Sequence, residues 1–333
     1  MNRRSILLGA AALAACARGE SQARGAAPFP IQRGVNLGNA LEAPREGDWG
    51  YRIEADHLSA IADAGFDGVR LPVRWDAHAA NAAPYTISPA LLERVRELID
   101  AATTRGLKLQ LDLHHFDAFI QAGPRSPQRA HFLAIWRQIA EAFRDAPDGV
   151  LFEPLNEPNG ATWSGRALAA VQAEVIDVIR ASNSERLIVL GPGNWQNIDA
   201  LNQWAPPARE NIAVSVHYYE PHAFTHQDAE WLGDDAPRFD RAWGDPDDVR
   251  AVQEHIARAA SWGERYGFAL QLGEFGVNRA VSPAQRAAWT RAVREACEAG
   301  GIGWCVWDFA GAFPIWDRDR RDWLPGMREA LLG

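Results

Sequence analysis

The sequence predicts a (β/α)8 barrel, and two observations carry that prediction. From Ile31 onward, short apolar segments typical of buried strands alternate with longer amphipathic segments typical of helices. Eight strand segments occur, and the connections between them suit the crossovers of a parallel sheet. The length of 333 residues fits one domain of this size with a short tail.

The strand candidates are short runs rich in apolar residues, at 34–37, 68–71, 108–113, 150–155, 187–190, 212–217, 270–273 and 302–307. The helix candidates have apolar residues at helical spacing, at 53–64, 89–105, 128–146, 166–180, 247–265 and 283–299. Ser88 and Ser282 each precede a proline, which is typical of an N-cap followed by position N1. Glycines suited to a helix end follow three of the helices, at Gly65, Gly106 and Gly267.

Composition excludes several classes of protein. The net charge is −9, which argues against a nucleic-acid-binding surface. The three cysteines are too few for a disulfide scaffold, and we interpret Cys297 and Cys305 as small core residues. No Cys/His cluster has the spacing of a zinc site, so we expect no metal and no cofactor. The 14 tryptophans are an excess that suggests stacking surfaces for a ligand.

The first 30 residues form a separate segment. Arg3 and Arg4 precede a short apolar run that ends in Leu13-Ala14-Ala15-Cys16, which resembles a bacterial lipobox. We therefore expect residues 1–16 to be a lipoprotein-type signal peptide with Cys16 lipidated, and 17–30 to be a flexible tether. The expected location is the bacterial cell envelope, in the outer membrane or periplasm. The alternative is an ordinary signal peptide and a secreted protein.

Polar and aromatic residues follow nearly every strand of the barrel. Because the carboxyl ends of parallel strands meet at one rim, these side chains are expected to converge there. They are Asn36, Asn39, Arg70, His114, His115, Asn156, Glu157, Trp195, His217, Tyr219, Glu274 and Trp307.

Glu157 and Glu274 follow strands four and seven, which face each other across a small barrel. Glycoside cleavage uses two carboxyl groups, one as proton donor and one as nucleophile or base. We expect the two groups to lie about 5–5.5 Å apart, the spacing of an enzyme that retains the anomeric configuration.

The motifs resemble those of glycoside hydrolase family 5, the large cellulase family, over roughly residues 31–315. They are Gly34-Val35-Asn36-Leu37-Gly38-Asn39, Val69-Arg70-Leu71-Pro72, Leu111-Asp112-Leu113-His114-His115, Leu155-Asn156-Glu157-Pro158, His217-Tyr218-Tyr219, Gly273-Glu274-Phe275-Gly276 and Trp307. The resemblance implies Glu157 as the acid/base and Glu274 as the nucleophile. It also implies that Asn156 binds the sugar 2-hydroxyl and that Arg70 and Tyr219 hold Glu274.

The same resemblance places His217 near Glu157, and His114 and Trp307 at the subsite on the non-reducing side. His115 either binds sugar or caps its loop, and Asn39 either binds substrate or shapes the loop after strand one. Further stacking platforms are expected among Trp49, Trp75, Trp163, Trp195, Trp231, Trp243 and Trp316, about half of which should only pack. Tryptophans inside helix candidates are expected in the core, namely Trp136, Trp262 and Trp289.

The resemblance implies a retaining hydrolase of β-linked glucans that acts on an oligo- or polysaccharide. We expect the protein to be a monomer. A β-mannanase, a xyloglucanase and an exo-β-1,3-glucanase or β-glucosidase of the same family stay open as alternatives. The long aromatic segment 218–246 could narrow the cleft and favour short chains or exo-action. Two other classes are weighed. A metal-dependent barrel hydrolase is disfavoured because this sequence has Asn36 and Asn39, and no His-x-His, after strand one. A non-catalytic carbohydrate-binding lipoprotein is disfavoured because both Glu157 and Glu274 are present.

Overall fold

The computed structural model describes residues 27–233, 237 and 239–333. The barrel strands are β1 (Arg33–Asn36), β2 (Gly68–Val73), β3 (Lys108–Leu113), β4 (Val150–Glu153), β5 (Ile188–Leu190), β6 (Ile212–His217), β7 (Leu270–Glu274) and β8 (Gly303–Val306). They are parallel, they pair in chain order, and β1 also pairs with β8, which closes the sheet. The predicted (β/α)8 barrel is confirmed.

The helical segments are α1 (Ala55–Ala64), α2 (Pro89–Thr103), α3 (Asp117–Ala122), α4 (Gln128–Ala142), α5 (Gly165–Arg180), α6 (Gly193–Gln196), α7 (His222–Thr225), α8 (Pro246–Tyr266), α9 (Pro283–Ala299) and α10 (Met327–Leu332). The six predicted helices correspond to α1, α2, α4, α5, α8 and α9, and their ends differ from the prediction by at most four residues. The crossover after β5 contains only α6 and a 3-10 segment, Ile198–Gln203. A hairpin of β9 (Trp316–Asp317) and β10 (Asp322–Trp323) precedes α10, and the sequence did not predict it.

The helix ends agree with the predicted signals in part. The prolines after Ser88 and Ser282 begin α2 and α9, but neither serine side chain accepts a capping hydrogen bond. Gly65 and Gly267 end α1 and α8 with φ angles of 103° and 71°, a left-handed conformation that costs glycine little. Gly106 lies two residues beyond the C-cap of α2 rather than next to it.

The main apolar core lies between the barrel and its helices. Strand residues that point outward, such as Leu71 and Leu111, are fully buried against the helix layer. Trp136 and Trp289 are 0% exposed and Trp262 is 7% exposed, so the prediction that these three belong to the core is confirmed. The helices therefore stabilise the barrel from outside.

A smaller apolar cluster closes the amino-terminal end of the barrel. Phe29 and Ile31 enter it and pack against Leu151, Val189, Ala213 and Cys305. A Cβ at Gly68 would lie 2.7 Å from Ile31 Cγ1, so the absence of a side chain there leaves room for Ile31. Phe29 is 1% exposed, which corrects the predicted tether, because the packed domain already includes this residue.

Above this cluster, the barrel interior is polar. Inward-facing residues of the next layers are at most 1% exposed, and they are Asn36, Arg70, Gln110, Asp112, Glu153, Ser215 and Gln271. Most TIM barrels fill this space with branched apolar side chains. Here the interior side chains form the base of a site at the carboxyl ends of the strands.

The predicted signal peptide, with Cys16, lies outside the described residues. Within the described ranges, no helix combines the length and apolar character needed to cross a membrane. Cys297 and Cys305 are both free thiols and buried, as expected for core residues.

The cluster at the closed end of the barrel predicts a loss of stability without a loss of catalysis. Ile31→Ala should lower the free energy of unfolding by about 2–5 kcal/mol, and Ile31→Val by about 0.5–1.5 kcal/mol, because a cavity replaces buried methyl groups. Urea unfolding measures both values. The kcat of the folded Ile31 variants should equal that of wild type, and a lower kcat would contradict the separation of this cluster from the site.

Candidate active site

Two carboxyl groups meet at the rim formed by the strand ends. Glu274 is the last residue of β7, and Glu157 lies four residues beyond the end of β4. One oxygen of each carboxyl group lies within 4.8 Å of the other and of a nitrogen of His217. A pair this close suits direct attack by one carboxylate, because an inverting pair stands about 6.5–9.5 Å apart.

Arg70 lies beneath this pair and joins four strands of the barrel. Its Nη1 donates to Glu274 Oε1 at 2.7 Å and to Asn36 Oδ1 at 3.0 Å. Its Nε donates to Glu153 Oε2 at 2.6 Å, and its Nη2 donates to Asn156 Oδ1 at 2.7 Å. The guanidinium is 0% exposed, so these partners replace all of its water.

Glu274 is held as the charged member of the pair. Tyr219 donates its hydroxyl to Glu274 Oε2 at 2.9 Å, and Arg70 binds the other oxygen. Burial raises the pKa of Glu274 to about 7, and the neighbouring His217, Arg70 and Tyr219 act against that rise. Since Arg70 contacts Glu274 directly, the first proton lost by the coupled pair leaves Glu274 ionised.

Glu157 has the environment of a proton donor. Burial raises the pKa of its carboxyl group to about 7, and among the described residues no arginine bonds to that group directly. Its backbone N–H donates to Gln196 Oε1 at 2.8 Å, and its φ angle of 46° is left-handed. Such a conformation costs a non-glycine residue about 1–3 kcal/mol and is found where function holds a side chain in place.

His217 bridges the two carboxyl groups. Its Nδ1 lies 2.7 Å from Glu157 Oε1 and 3.6 Å from Glu274 Oε2. Burial lowers the pKa of His217 to about 4, so the ring is neutral near pH 7. A neutral ring with its proton on Nδ1 donates to Glu157 Oε1 and leaves the second Glu157 oxygen for the substrate.

His114 and Trp307 form the wall beside the pair. Their rings stack at 5.5 Å with an interplanar angle of 7°, and His115 stands perpendicular to His114 at 4.5 Å. Trp307 stays partly exposed. A Cβ at Gly38 would lie 2.7 Å from its indole, so the glycine makes room for that ring.

The two uncertain residues of the sequence prediction are both at the rim. His115 is partly buried and lies 6.3 Å from Trp49, edge to face, so it connects the wall to an exposed indole. Asn39 is partly buried and donates through Nδ2 to Asp308, which positions the loop after β1. Both have left-handed φ angles, 55° for His115 and 63° for Asn39.

The predicted tryptophan platforms divide into two groups. Trp49, Trp195 and Trp231 are 45%, 53% and 56% exposed, as a stacking surface requires. The other four are buried in the core, which agrees with the expectation that about half of the seven would only pack, and they are Trp75, Trp163, Trp243 and Trp316. Trp195 sits in α6, where left-handed φ angles turn it outward next to the Gln196 that binds Glu157.

Two groups of His and Glu side chains within the described residues have ligand atoms close enough to share a cation. One is Glu157, His217 and Glu274 of the carboxyl pair, and the other is Glu42, His114 and His115. In the first group, each residue already has hydrogen-bond partners within the site. The prediction of no metal stays a prediction.

Three buried residues of the site carried no role in the sequence prediction. Asp112 and Glu153 both bind Arg70, and Gln196 holds the backbone of Glu157. A signal for the first two was present, because polar residues at alternate positions of an apolar strand point to the barrel interior. Gln196 had no such signal, since it lies in a turn.

A sequence profile described as "Cellulase (glycosyl hydrolase family 5)" matches residues 27–312. Endoglucanase H of Acetivibrio thermocellus is 32% identical over 296 residues, which cover 88% of this chain and 31% of that protein. Endoglucanase A of Ruminococcus albus is 30% identical, with 88% of this chain and 87% of that protein covered. The chain thus spans about a third of the length of the first relative.

A solved structure of Thermotoga maritima Cel5A in complex with cellobiose superposes with a TM-score of 0.87 and 36% identity, over 91% of this chain and 98% of that one. The profile match includes both carboxyl groups of the site, Arg70 and the wall formed by His114 and Trp307. The chain therefore belongs to glycosyl hydrolase family 5, the cellulase family.

Proposed function

We propose that this chain is a retaining endo-β-1,4-glucanase. The observation that carries the proposal is the close pair of Glu274, bound by Arg70 and Tyr219, and Glu157, bound only by a neutral histidine and its own backbone contacts. Relatives named endoglucanases support the choice of β-1,4-glucan as substrate. The pair provides one charged nucleophile and one proton donor, which are the two groups that acetal cleavage needs.

The reaction has two steps. In the first, the Glu274 carboxylate bonds to the anomeric carbon, the glycosidic C–O bond breaks, and Glu157 gives its proton to the leaving oxygen. In the second, the Glu157 carboxylate takes a proton from water, whose oxygen bonds to the anomeric carbon and displaces Glu274. Two inversions give net retention. Arg70 keeps Glu274 ionised before the first step and again after the second.

The wall side chains suit the sugar on the non-reducing side. By resemblance to the family, Asn156 binds the 2-hydroxyl of the reacting sugar, and Trp307 offers its indole face as a floor. His114 stacks on that indole, and His115 lies between His114 and Trp49. A hydrogen bond from Asn156 that strengthens as positive charge develops on the ring would lower the barrier.

Three exposed indoles near the rim support endo-action, because each offers a stacking surface for a sugar of a longer chain. Trp49 lies beyond His115, while Trp195 lies beside Gln196 on the side of Glu157. Trp231, from the segment 218–246, packs near Phe313 and stays 56% exposed. Much of that segment's aromatic surface is internal, since Phe224 and Trp243 are buried, so it leaves platforms for a long chain at the rim.

The mechanism predicts retention with an unequal effect of the two carboxyl groups. Glu274→Ala should abolish turnover of every glucan because no nucleophile is left. Glu157→Ala should still form the glycosyl-enzyme from an activated aryl cellobioside, whose leaving group needs little protonation, and then stall. Azide should replace the missing base and give a β-azide product, which proton NMR identifies.

The control is wild type with the same aryl cellobioside, followed from the first product formed. A β-anomer should appear first and then mutarotate. An α-anomer appearing first would show inversion and remove the nucleophile role of Glu274.

The raised pKa of Glu157, about 7, predicts the alkaline limit of activity. The acid works only while protonated, so kcat/KM on an unactivated β-glucan should fall about tenfold per pH unit above this pKa. At lower pH, protonation of the nucleophile Glu274 limits kcat/KM instead. A series of initial rates measured at different pH values gives this alkaline fall of kcat/KM.

The matched control is Glu157→Gln with an activated aryl cellobioside, which needs no acid. Its first, glycosylation step should show no alkaline fall near pH 7. If the rate of glycosylation still falls near pH 7 in that variant, another group causes the alkaline fall and the assignment of Glu157 as the acid is wrong.

We further propose that the enzyme is exported and anchored to the cell envelope through lipid on Cys16. The support is the segment Leu13-Ala14-Ala15-Cys16 after a short apolar run. One acyl chain binds a membrane only weakly, whereas the two chains of a diacylglyceryl group give a stable anchor.

Cys16→Ala should move the enzyme from the membrane fraction to the soluble fraction of the envelope, as measured by fractionation and activity. Cys297→Ala is the matched control, since Cys297 is a buried core thiol, and it should leave the distribution unchanged. An unchanged membrane-bound share for Cys16→Ala would refute the anchor.

A further inference from the structure

The loop after β1 carries an exposed tryptophan beside the wall of the site. Ala43 and Tyr51 in this loop are buried, at 0% and 1% exposure, whereas Trp49 between them is 45% exposed. Among the described residues, the ring that lies against the Trp49 indole is that of His115, edge-on at 6.3 Å. The position of the indole therefore follows mainly from the position of its backbone.

Trp49 lies farther along the wall than the reacting sugar. The rings of Trp307 and His114 are 5.5 Å apart, and His115 stands 4.5 Å from His114 on the way to Trp49. Trp49 and Trp307 make no ring contact with each other, although both belong to the described part of the chain. With the reacting sugar on Trp307, as the family resemblance implies, a sugar on Trp49 must be another unit of the same chain.

Arg94 of α2 closes the loop around Trp49 at its base. Its Nε and Nη2 donate to the two oxygens of Glu46, both at 2.9 Å, and Nη2 also donates to the Ile53 carbonyl at 2.6 Å. Glu46 Oε1 accepts from the Ile53 N–H as well, at 3.0 Å. These three residues, here called the Arg94 clamp, join a point of the chain before Trp49 to a point after it.

The Arg94 clamp is better protected from water than most surface ion pairs. The side chain of Arg94 is 20% exposed and that of Glu46 is 9% exposed. A guanidinium that meets both oxygens of one carboxylate fixes direction as well as distance. Val95 and Leu98 of the same helix are buried in the main core, so the clamp ties the loop to a rigid element.

Other contacts within and around the loop restrain it less. Gly50 donates its N–H to the Gly47 carbonyl at 2.8 Å, which closes a local turn and does not join the loop to a neighbour. Arg318 is exposed and donates Nη1 to the Gly50 carbonyl, a single backbone acceptor. Arg52 Nη1 lies 3.6 Å from Glu46 Oε2 with a side chain 63% exposed, and such pairs contribute little.

We propose that Arg94 and Glu46 are positioning residues for the Trp49 platform, and that they thereby set how strongly the enzyme favours longer chains. A flat indole offers a stacking face to a further glucosyl unit on the non-reducing side, where the wall lies. Because the clamp orders the loop before the sugar arrives, less conformational entropy is lost on binding. This inference rests on the proposed function, since it takes a β-1,4-glucan chain as the substrate.

The test uses aryl β-glycosides that share one leaving group and carry one to four β-1,4-linked glucosyl units. Each added unit extends the substrate only on the non-reducing side. Aryl release at substrate concentrations well below KM gives kcat/KM for the binding mode in which the first unit reacts. The ratio of kcat/KM for the four-unit substrate to that for the one-unit substrate is here called the length ratio.

The length ratio of wild type should exceed one. Trp49→Ala should lower it about 2–10-fold, the fold-change that corresponds to one lost stacking contact. Arg94→Ala and Glu46→Gln should lower it in the same direction and by no more, because both act through that indole. Added to Trp49→Ala, either change should lower the length ratio no further.

A wild-type length ratio in both Arg94→Ala and Glu46→Gln would overturn the proposal, and so would a further fall of the ratio in the double variants. Glu46→Gln keeps the size of its side chain, so it decides the matter if Arg94→Ala does not fold. Arg318→Ala should lower the length ratio less than Arg94→Ala does. The reverse order would assign the positioning of Trp49 to Arg318 and overturn the role of the clamp.

The matched control is Arg294→Ala, at the opposite end of the barrel. Arg294 is 10% exposed and donates to Glu298, to Glu295 and to the Ala330 carbonyl, and Glu298 also pairs with Arg33 at the start of β1. Its loss should lower the midpoint of urea unfolding and leave the length ratio at the wild-type value. A length ratio that falls equally in Arg294→Ala and Arg94→Ala would show a general effect of stability and overturn the proposal.

Failure of the proposed function gives a different result. In that case wild type would release no aryl group from the glycosides of any length. If wild type cleaves them and favours the longer ones while the clamp variants keep its length ratio, only the positioning role of Arg94 and Glu46 is wrong.

Discussion

The burial of Arg70 is the constraint on which the rest of the site depends. A guanidinium with no exposure must have ionic and hydrogen-bonding partners, since breaking a buried pair costs about 3–5 kcal/mol. Its partners come from β1, β3, β4 and β7 and from the loop after β4. The barrel interior is therefore polar near the site, and apolar packing is left to the helix layer and to the cluster around Ile31.

The same cation separates the roles of two carboxyl groups, of which the Glu157 side chain is 26% exposed and the Glu274 side chain 6%. Burial raises the pKa of both Glu157 and Glu274. Direct contact with Arg70 and Tyr219 stabilises negative charge on Glu274, whereas Glu157 contacts only a neutral imidazole. Two like groups therefore become a nucleophile and an acid by their neighbours, a pattern seen in other enzymes with paired carboxyl groups.

Strained backbone occurs at the rim of the site, and the inward-facing strand residues beneath it are not among the residues with left-handed φ angles. Asn39, His115, Glu157 and Trp195, all site residues, have left-handed φ angles although none is a glycine. Each conformation is unfavourable by itself and persists because the surrounding hydrogen bonds hold it. Rigid strands thus supply the charged base of the site, while strained turns direct the proton donor and the sugar-facing side chains into the cleft.

The sequence by itself determined the barrel and the set of residues at its rim. Strand and helix periodicities are local, and in a parallel barrel the residue after each strand must reach the same edge, so Glu157 and Glu274 were predictable. The tertiary structure alone decided the partners. Arg70 and Glu274 are 204 residues apart in sequence, and strand register brings them to 2.7 Å. Asp112, Glu153 and Gln196 acquired their roles in the same way.

The tryptophans and Phe29 illustrate the same limit. Trp75 and Trp195 both follow a strand, yet one is 0% exposed and the other 53%. Composition cannot distinguish them, because exposure depends on how the connecting segments pack over each indole. The sequence placed Phe29 in a polar tether, whereas in the structure it is buried at the amino-terminal end of the barrel. Only the closed barrel provides the apolar cluster that buries it.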